Sequence, residues 1–202
     1  MANTFSPNGL VPVRNSLAGS WTAQQTKRLI AAANPHTFFQ GDLVVSLNTG
    51  YIDLWTTAST VQAAGVFMGC NYISTAQSRR IWSNQFPGGD TTVDVVCYII
   101  DDPNTVFRVW VGTGASSAAG GPGVLADVQN NIDFRKGTGS TLSGLSGGYA
   151  DYATKQTTTT LPLKILGLVQ DPPGMNGTDI TTAGNIIEVK LNFADLNSAT
   201  GI

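Results

Sequence analysis

Apolar and polar residues alternate with period two in several separate runs of this chain, the signature of half-buried strands. In residues 43–47, Leu43, Val45 and Leu47 fall on one face. Asn48-Thr49-Gly50 is a turn signal and residues 51–55 return, which predicts a β-hairpin. Residues 64–73 place Val66, Met68, Cys70 and Tyr72 on one face, and Gly65 and Gly69 predict a bulge or a close backbone approach. Residues 80–86 form a weaker strand that stops at Pro87-Gly88-Gly89. Residues 92–100 are apolar at nearly every position, which predicts a strand covered on both faces. Asp101-Asp102-Pro103-Asn104 is a turn signal. Residues 105–111 return from it with Phe107, Val109 and Val111 inward and Arg108 and Trp110 outward, predicting a long hairpin with residues 92–100. Residues 27–32 read as a short strand rather than a helical turn, and a further strand is predicted at 161–169. Residues 185–194 alternate Ile187, Val189, Leu191 and Phe193 with Glu188, Lys190 and Asn192. Eight or more short strands at close spacing predict an all-β fold, an antiparallel β-barrel, β-tulip-like body or sandwich.

Two regions depart from this pattern. Residues 1–24 read as an extended N-terminal arm, because Pro7, Gly9 and Pro12 interrupt any regular element while Phe5, Leu10, Val11 and Val13 are apolar. Four such side chains do not offset the entropy of ordering so much isolated backbone. The arm therefore needs a body or a neighbouring subunit shaped to receive it. The rest, residues 25–202, reads as a single β domain with a Gly/Ser-rich excursion at about 112–160. Ten glycines fall between Gly112 and Gly148, with one short helix predicted at 124–132. Such a stretch packs no core of its own, so it is expected to lie over a partner or stay partly unordered.

Composition sharpens the class. Charged residues make up only 12% of the 202, and 24 Thr and 23 Gly fill the gap. Threonine suits a pleated surface and glycine marks turns. The formal net charge of −2, with basic residues no denser than the pairs Lys27-Arg28, Arg79-Arg80 and Arg135-Lys136, argues against a nucleic-acid partner. Residues 1–13 have no basic and apolar signal pattern, and no apolar run of about 18 residues exists, so no membrane partner is expected and synthesis in a cytoplasm fits. Cys70 and Cys97 sit in apolar runs and are expected to be buried free thiols.

Catalytic and cofactor chemistry finds little to stand on. One histidine, His36, and two strand cysteines do not make a zinc site. Gly144-Leu145-Ser146-Gly147-Gly148 fits the G-x-S-x-G pattern, but neither a core strand nor a long helix flanks it, and His36 lies upstream where that fold places its base downstream. Adjacent Asp101 and Asp102 in a turn read as capping groups rather than a carboxylate pair across a cleft. No cofactor, metal or catalytic residue is expected. Trp21, Trp55, Trp82 and Trp110 are too many for the centre of a thin β fold, and Trp110 beside Arg108 has the residue types enriched at interfaces.

The opening Met1-Ala2-Asn3 and five longer segments carry a family resemblance. The five are Pro7-Asn8-Gly9-Leu10-Val11-Pro12-Val13-Arg14, Phe39-Gln40-Gly41-Asp42-Leu43-Val44, Gly65-Val66-Phe67-Met68-Gly69-Cys70-Asn71-Tyr72, the run from Tyr98 through Asp101-Asp102-Pro103-Asn104 to Phe107, and Leu163-Lys164-Ile165-Leu166-Gly167-Leu168-Val169. In order and spacing they resemble the small virion structural proteins of podoviruses and their relatives, commonly capsid decoration or cement proteins. The resemblance implies a homotrimeric β-barrel or β-tulip body that binds the major capsid protein on the capsid exterior and stabilises the shell. Tail or baseplate modules and carbohydrate-binding receptor modules are the alternatives. Phe5, Leu10, Val13, Arg14, Arg108 and Trp110 are the expected partner contacts.

Overall fold

A computed structural model describes residues 3–17, 24–56, 62–114, 118–170 and 177–192. The described residues are all-β, with no α-helix. The strands are β1 (Val11–Asn15), β2 (Thr26–Ile30), β3 (Phe38–Phe39), β4 (Leu43–Ser46), β5 (Ile52–Leu54), β6 (Ala63–Ser74), β7 (Arg79–Ser83), β8 (Gln85–Phe86), β9 (Val95–Ile100), β10 (Thr105–Thr113), β11 (Ala118–Ala119), β12 (Asn131–Arg135), β13 (Tyr149–Gln156), β14 (Leu163–Leu168) and β15 (Ile186–Leu191).

Five strands close into a barrel, β10-β13-β12-β14-β15, with β15 pairing back onto β10. All its pairs are antiparallel except β10 with β13, so the barrel is mixed where the sequence predicts an antiparallel one. The long connection between β10 and β12 lets the chain return in either sense, so the alternation within each strand says nothing about this pairing. A second sheet runs β2-β9-β6-β4-β5, with β7 on β6, and β3 pairs β8 in a small third one.

Two cores follow from this layout. Phe107, Val109 and Val111 of β10, Ile187, Val189 and Leu191 of β15, and Ile132 and Phe134 of β12 pack with Leu43, Val45, Val66 and Ile100 of the second sheet. The other face of that sheet packs Ile30, Phe67, Cys70, Tyr72, Cys97 and Ile99 with Phe38 and Phe86. Strand β6 serves both cores, and a bulge changes which of its residues face each. Between Phe67 and Gly69 the β6–β9 register shifts, which moves the later side chains to the opposite face. Val66 and Met68 therefore face the barrel core while Cys70 and Tyr72 face the second core, although strict alternation puts all four together.

Three further expectations are corrected. Strands β9 and β10 do not form a hairpin: β9 lies between β2 and β6, while β10 lies in the barrel. The turn between them is a corner. Thr26 Oγ1 donates to Asp101 Oδ1 (2.9 Å) and Asn15 Nδ2 to Asp102 Oδ2 (3.1 Å), so each carboxylate is held by a different neighbour. The helix expected at 124–132 is a single 3-10 turn, Leu125–Asp127. Asp127 Oδ2 accepts the Val124 N–H at 2.9 Å, and Gln129 at φ +77° ends the turn before β12 begins. The glycine-rich stretch does not merely lie over the body: it supplies two barrel strands, and Phe134, Tyr149 and Ala150 are buried.

The hairpin predicted at 43–55 is present as β4 and β5, closed by Leu47 N–H to the Tyr51 carbonyl (2.8 Å). Trp21 and Phe193 lie outside the described residues.

Candidate interaction surfaces

The arm docks on its own chain along three contacts. Asn3 Nδ2 donates to the Asp179 carbonyl (2.8 Å) and Asn3 Oδ1 accepts the Gly177 N–H (3.0 Å). Phe5 stands edge-on to Trp110 and Tyr149, with centroids 6.1 and 5.8 Å apart. Then β1 adds to the free edge of β10, pairing Val11 with Arg108 and Asn15 with Thr105.

These contacts place the expected partner residues. Leu10 is buried in the barrel core. Trp110 points outward by parity as expected, yet only 8% of it is exposed, because Phe5 and the Gly177 and Ile186 region cover it. Phe5 and Val13 are half-buried, and Val13 is the extra residue where the β1 register shifts between Pro12 and Arg14. Only Arg14 and Arg108 are exposed.

The segments 7–14 and 39–44 meet at a junction with the glycine-rich stretch. The Gly9 N–H donates to the Gly148 carbonyl (3.0 Å), the Leu10 N–H to the Gly41 carbonyl (2.9 Å), and the Ser146 N–H to the Gln40 carbonyl (2.9 Å). A side chain at Gly9, whose φ is +76°, would meet the Gly41 carbonyl oxygen at 2.6 Å, so this crossing requires glycine. Ser146 is buried here. Its hydroxyl donates to Asp42 Oδ1 (2.5 Å) and accepts the Gly148 N–H (2.8 Å). Burial pushes the Asp42 carboxyl above its ordinary range, and the Ser146 hydrogen bond opposes this only in part. His36 is engaged elsewhere, 2.7 Å from Asp53 Oδ1. Ser146 thus ties the glycine-rich stretch to the second sheet.

On the outer wall of the barrel a row of cations crosses β1, β10, β15 and β14. Arg14 Nη2 lies 2.8 Å from Glu188 Oε2, and Arg108 Nη2 lies 3.3 Å from Glu188 Oε1. Lys190 stands directly opposite Lys164 in the β14–β15 register. Four of the chain's 11 Lys and Arg therefore share this wall, and Glu188 is the one carboxylate in its outward rows.

The second sheet presents a different face. Lys27 and Leu29 of β2, Val96 and Tyr98 of β9, Asn71 and Ile73 of β6, and Arg80 and Trp82 of β7 share one side by register. The β9 strand is covered on both faces only at its end, where Ile99 packs in the second core and Ile100 in the barrel core, while Val96 and Tyr98 on this side are half-buried. Leu29, Ile73 and Trp82 are exposed. Trp82 was one of four tryptophans in view from the sequence. Its parity with Arg80 and the glycine in the neighbouring strand were the available signals that it faces out.

Among the described residues no cluster of three or more His, Cys, Asp and Glu is arranged to hold a metal, and no helix is long and apolar enough to cross a membrane. Comparison with protein-family models, curated proteins and solved structures finds no match for this chain.

Proposed function

We propose that this chain is a virion structural protein that binds the outside of a phage capsid as a decoration (cement) protein and assembles as a homotrimer on the major capsid protein. The observation that carries this reading is the cationic wall of the barrel. Like charges directly opposite each other, as at Lys164 and Lys190, are unfavourable within one sheet. An acidic protein surface laid across them turns that repulsion into attraction and fixes register. Arg14 closes the first of the five longer resembling segments and Arg108 follows the fourth, and these two segments pair as β1 on β10. An open wall suits a contact made of many weak interactions, which a trimer multiplies by making later contacts intramolecular.

The test is binding to capsids that lack the protein. Wild-type protein is expected to occupy sites between capsomers in averaged electron micrographs, with affinity falling as salt rises. The double variant Lys164→Glu, Lys190→Glu is expected to bind roughly tenfold or more weakly. Failure of the wild type to bind capsids at every stage of maturation overturns the reading.

A further inference from the structure

The exposed side of the second sheet contains a depression of about 340 Å³, bounded by Gln25, Met68, Gly69, Trp82, Asn84 and Tyr98. Its origin is the bulge in β6. Gly69 is paired with Tyr98, and with φ at +158° a side chain there would meet the Ser83 carbonyl oxygen at 3.0 Å. The position is kept bare, and the bare strand lets Trp82 of β7 reach across β6 and stack on Tyr98 of β9. The rings are 5.4 Å apart and 23° from parallel. A tryptophan that served only to cover a glycine would be buried by that contact, yet Trp82 remains 65% exposed.

The polar groups around this stack are neutral, and apart from the Asn84 amide, which donates to the Ser143 carbonyl (2.8 Å), they are open. Trp82 Nε1, Tyr98 Oη and the Gln25 amide have no hydrogen-bond partner among the described residues. Ser83 Oγ accepts the Gln85 N–H (3.1 Å), which leaves its own hydrogen to donate. No charged side chain lines the depression. Two further depressions among the described residues differ: one holds His36, Arg135 and Lys136, the other Lys27, Arg80 and Asp94. A ligand that fits must offer an apolar ring face to the aromatic stack and neutral hydroxyl or amide groups to the rim. Pyranose sugars have this form. Their C–H faces carry slight positive charge that suits the negative face of an indole, and their hydroxyls both donate and accept. The volume lies at the lower end of small-ligand sites, about 300–1,000 Å³.

We propose that the Trp82–Tyr98 depression is a binding site for a neutral sugar residue of an oligosaccharide. The site lies on a different sheet from the cationic barrel wall, and its test does not involve capsids.

Saturation-transfer NMR on the whole protein, with chitotriose, maltotriose and cellotriose as separate probes at about 10 mM, tests it. At least one probe is expected to receive saturation and to shift the Trp82 indole N–H. Trp82→Ala is expected to weaken binding roughly tenfold or more, and Gln25→Ala by a smaller factor. Leu142→Ala, at a fully exposed position in the glycine-rich stretch, serves as the control and is expected to leave binding unchanged. Circular dichroism and the thermal midpoint establish that each variant is folded. Absence of transfer to all three probes overturns the proposal, as does binding that survives Trp82→Ala. Adenosine binding as tightly as the best sugar also overturns it, because the stack would then select any flat ring.

Discussion

The N-terminal arm lies along the barrel as an edge strand, whereas the glycine-rich stretch forms part of the barrel wall. The arm's strand is paired on one side only, by the β1–β10 ladder, and the rest of the arm is held by the Leu10 anchor, the Phe5 ring and the contacts of Asn3 and Gly9. The glycine-rich stretch is held on both sides, since β12 pairs with β13 and β14, and β13 with β12 and β10. Both segments are rich in residues that break regular structure. The difference teaches that apolar residues at a few well-placed positions, such as Ile132, Phe134, Tyr149 and Ala150, are enough to build a wall when neighbouring strands complete the ladder. Glycine even aids this, because Gly148 lies against the Phe134 ring where a side chain would overlap it at 2.2 Å.

The largest effect should come from the wall. Phe134→Ala is expected to cost about 3–5 kcal/mol, and Leu10→Ala about 2–3 kcal/mol because a one-sided arm can shift to fill part of the space. Guanidinium unfolding of both variants measures the difference, and equal losses would break the distinction between wall and edge strand.

A pH effect of intermediate size should also belong to the wall. Asp133 of β12 accepts the Trp55 Nε1–H (2.8 Å) and the Phe134 N–H (2.8 Å). Burial pushes its pKa up to about 6, with Asp151 nearby adding to the rise and Arg135 opposing it. The unfolded value is about 3.9. Below that value both states are protonated. Between about 4 and 6 the unfolded chain ionises first, so stability falls as pH rises through this window and stays lower above it. This one group should contribute a loss of about 3 kcal/mol at most. Denaturant midpoints from pH 3.5 to 7.5 are expected to show it, and Asp133→Asn, which keeps an acceptor for Trp55, is expected to remove it.

The smallest effect should come from the arm's exposed ion pair. Arg108 still reaches Glu188 when Arg14 is truncated. Arg14→Ala is therefore expected to change stability by less than about 1 kcal/mol. A larger loss in thermal or denaturant unfolding would mean that the arm is bound to the wall mainly through charge.

Of the two surfaces, the cationic wall was half legible in the sequence. Arg14 and Arg108 stood out, and the outward parity of Lys190 against Val189 and Leu191 was plain. That Lys190 meets Lys164 depends on the register of two strands joined by a long connection. The Trp82–Tyr98 stack was hidden further, since it joins β7 to β9 across the bare position in β6.

The sequence by itself determined that this chain is β-rich, where most strands run, and which side chains of β10 and β15 point into a core. It did so because alternation is a local property, decided by the geometry of successive residues. Tertiary structure decided what each strand lies beside. It set the parallel β10–β13 pair, the corner at Asp101-Asp102, and the bulge that moves Cys70 and Tyr72 of β6 to the second core. It also buried Trp110, whose outward parity was read correctly, because Phe5 from the far end of the chain closes over it. A side chain's direction follows from its own strand, but its exposure depends on what the rest of the chain brings to cover it.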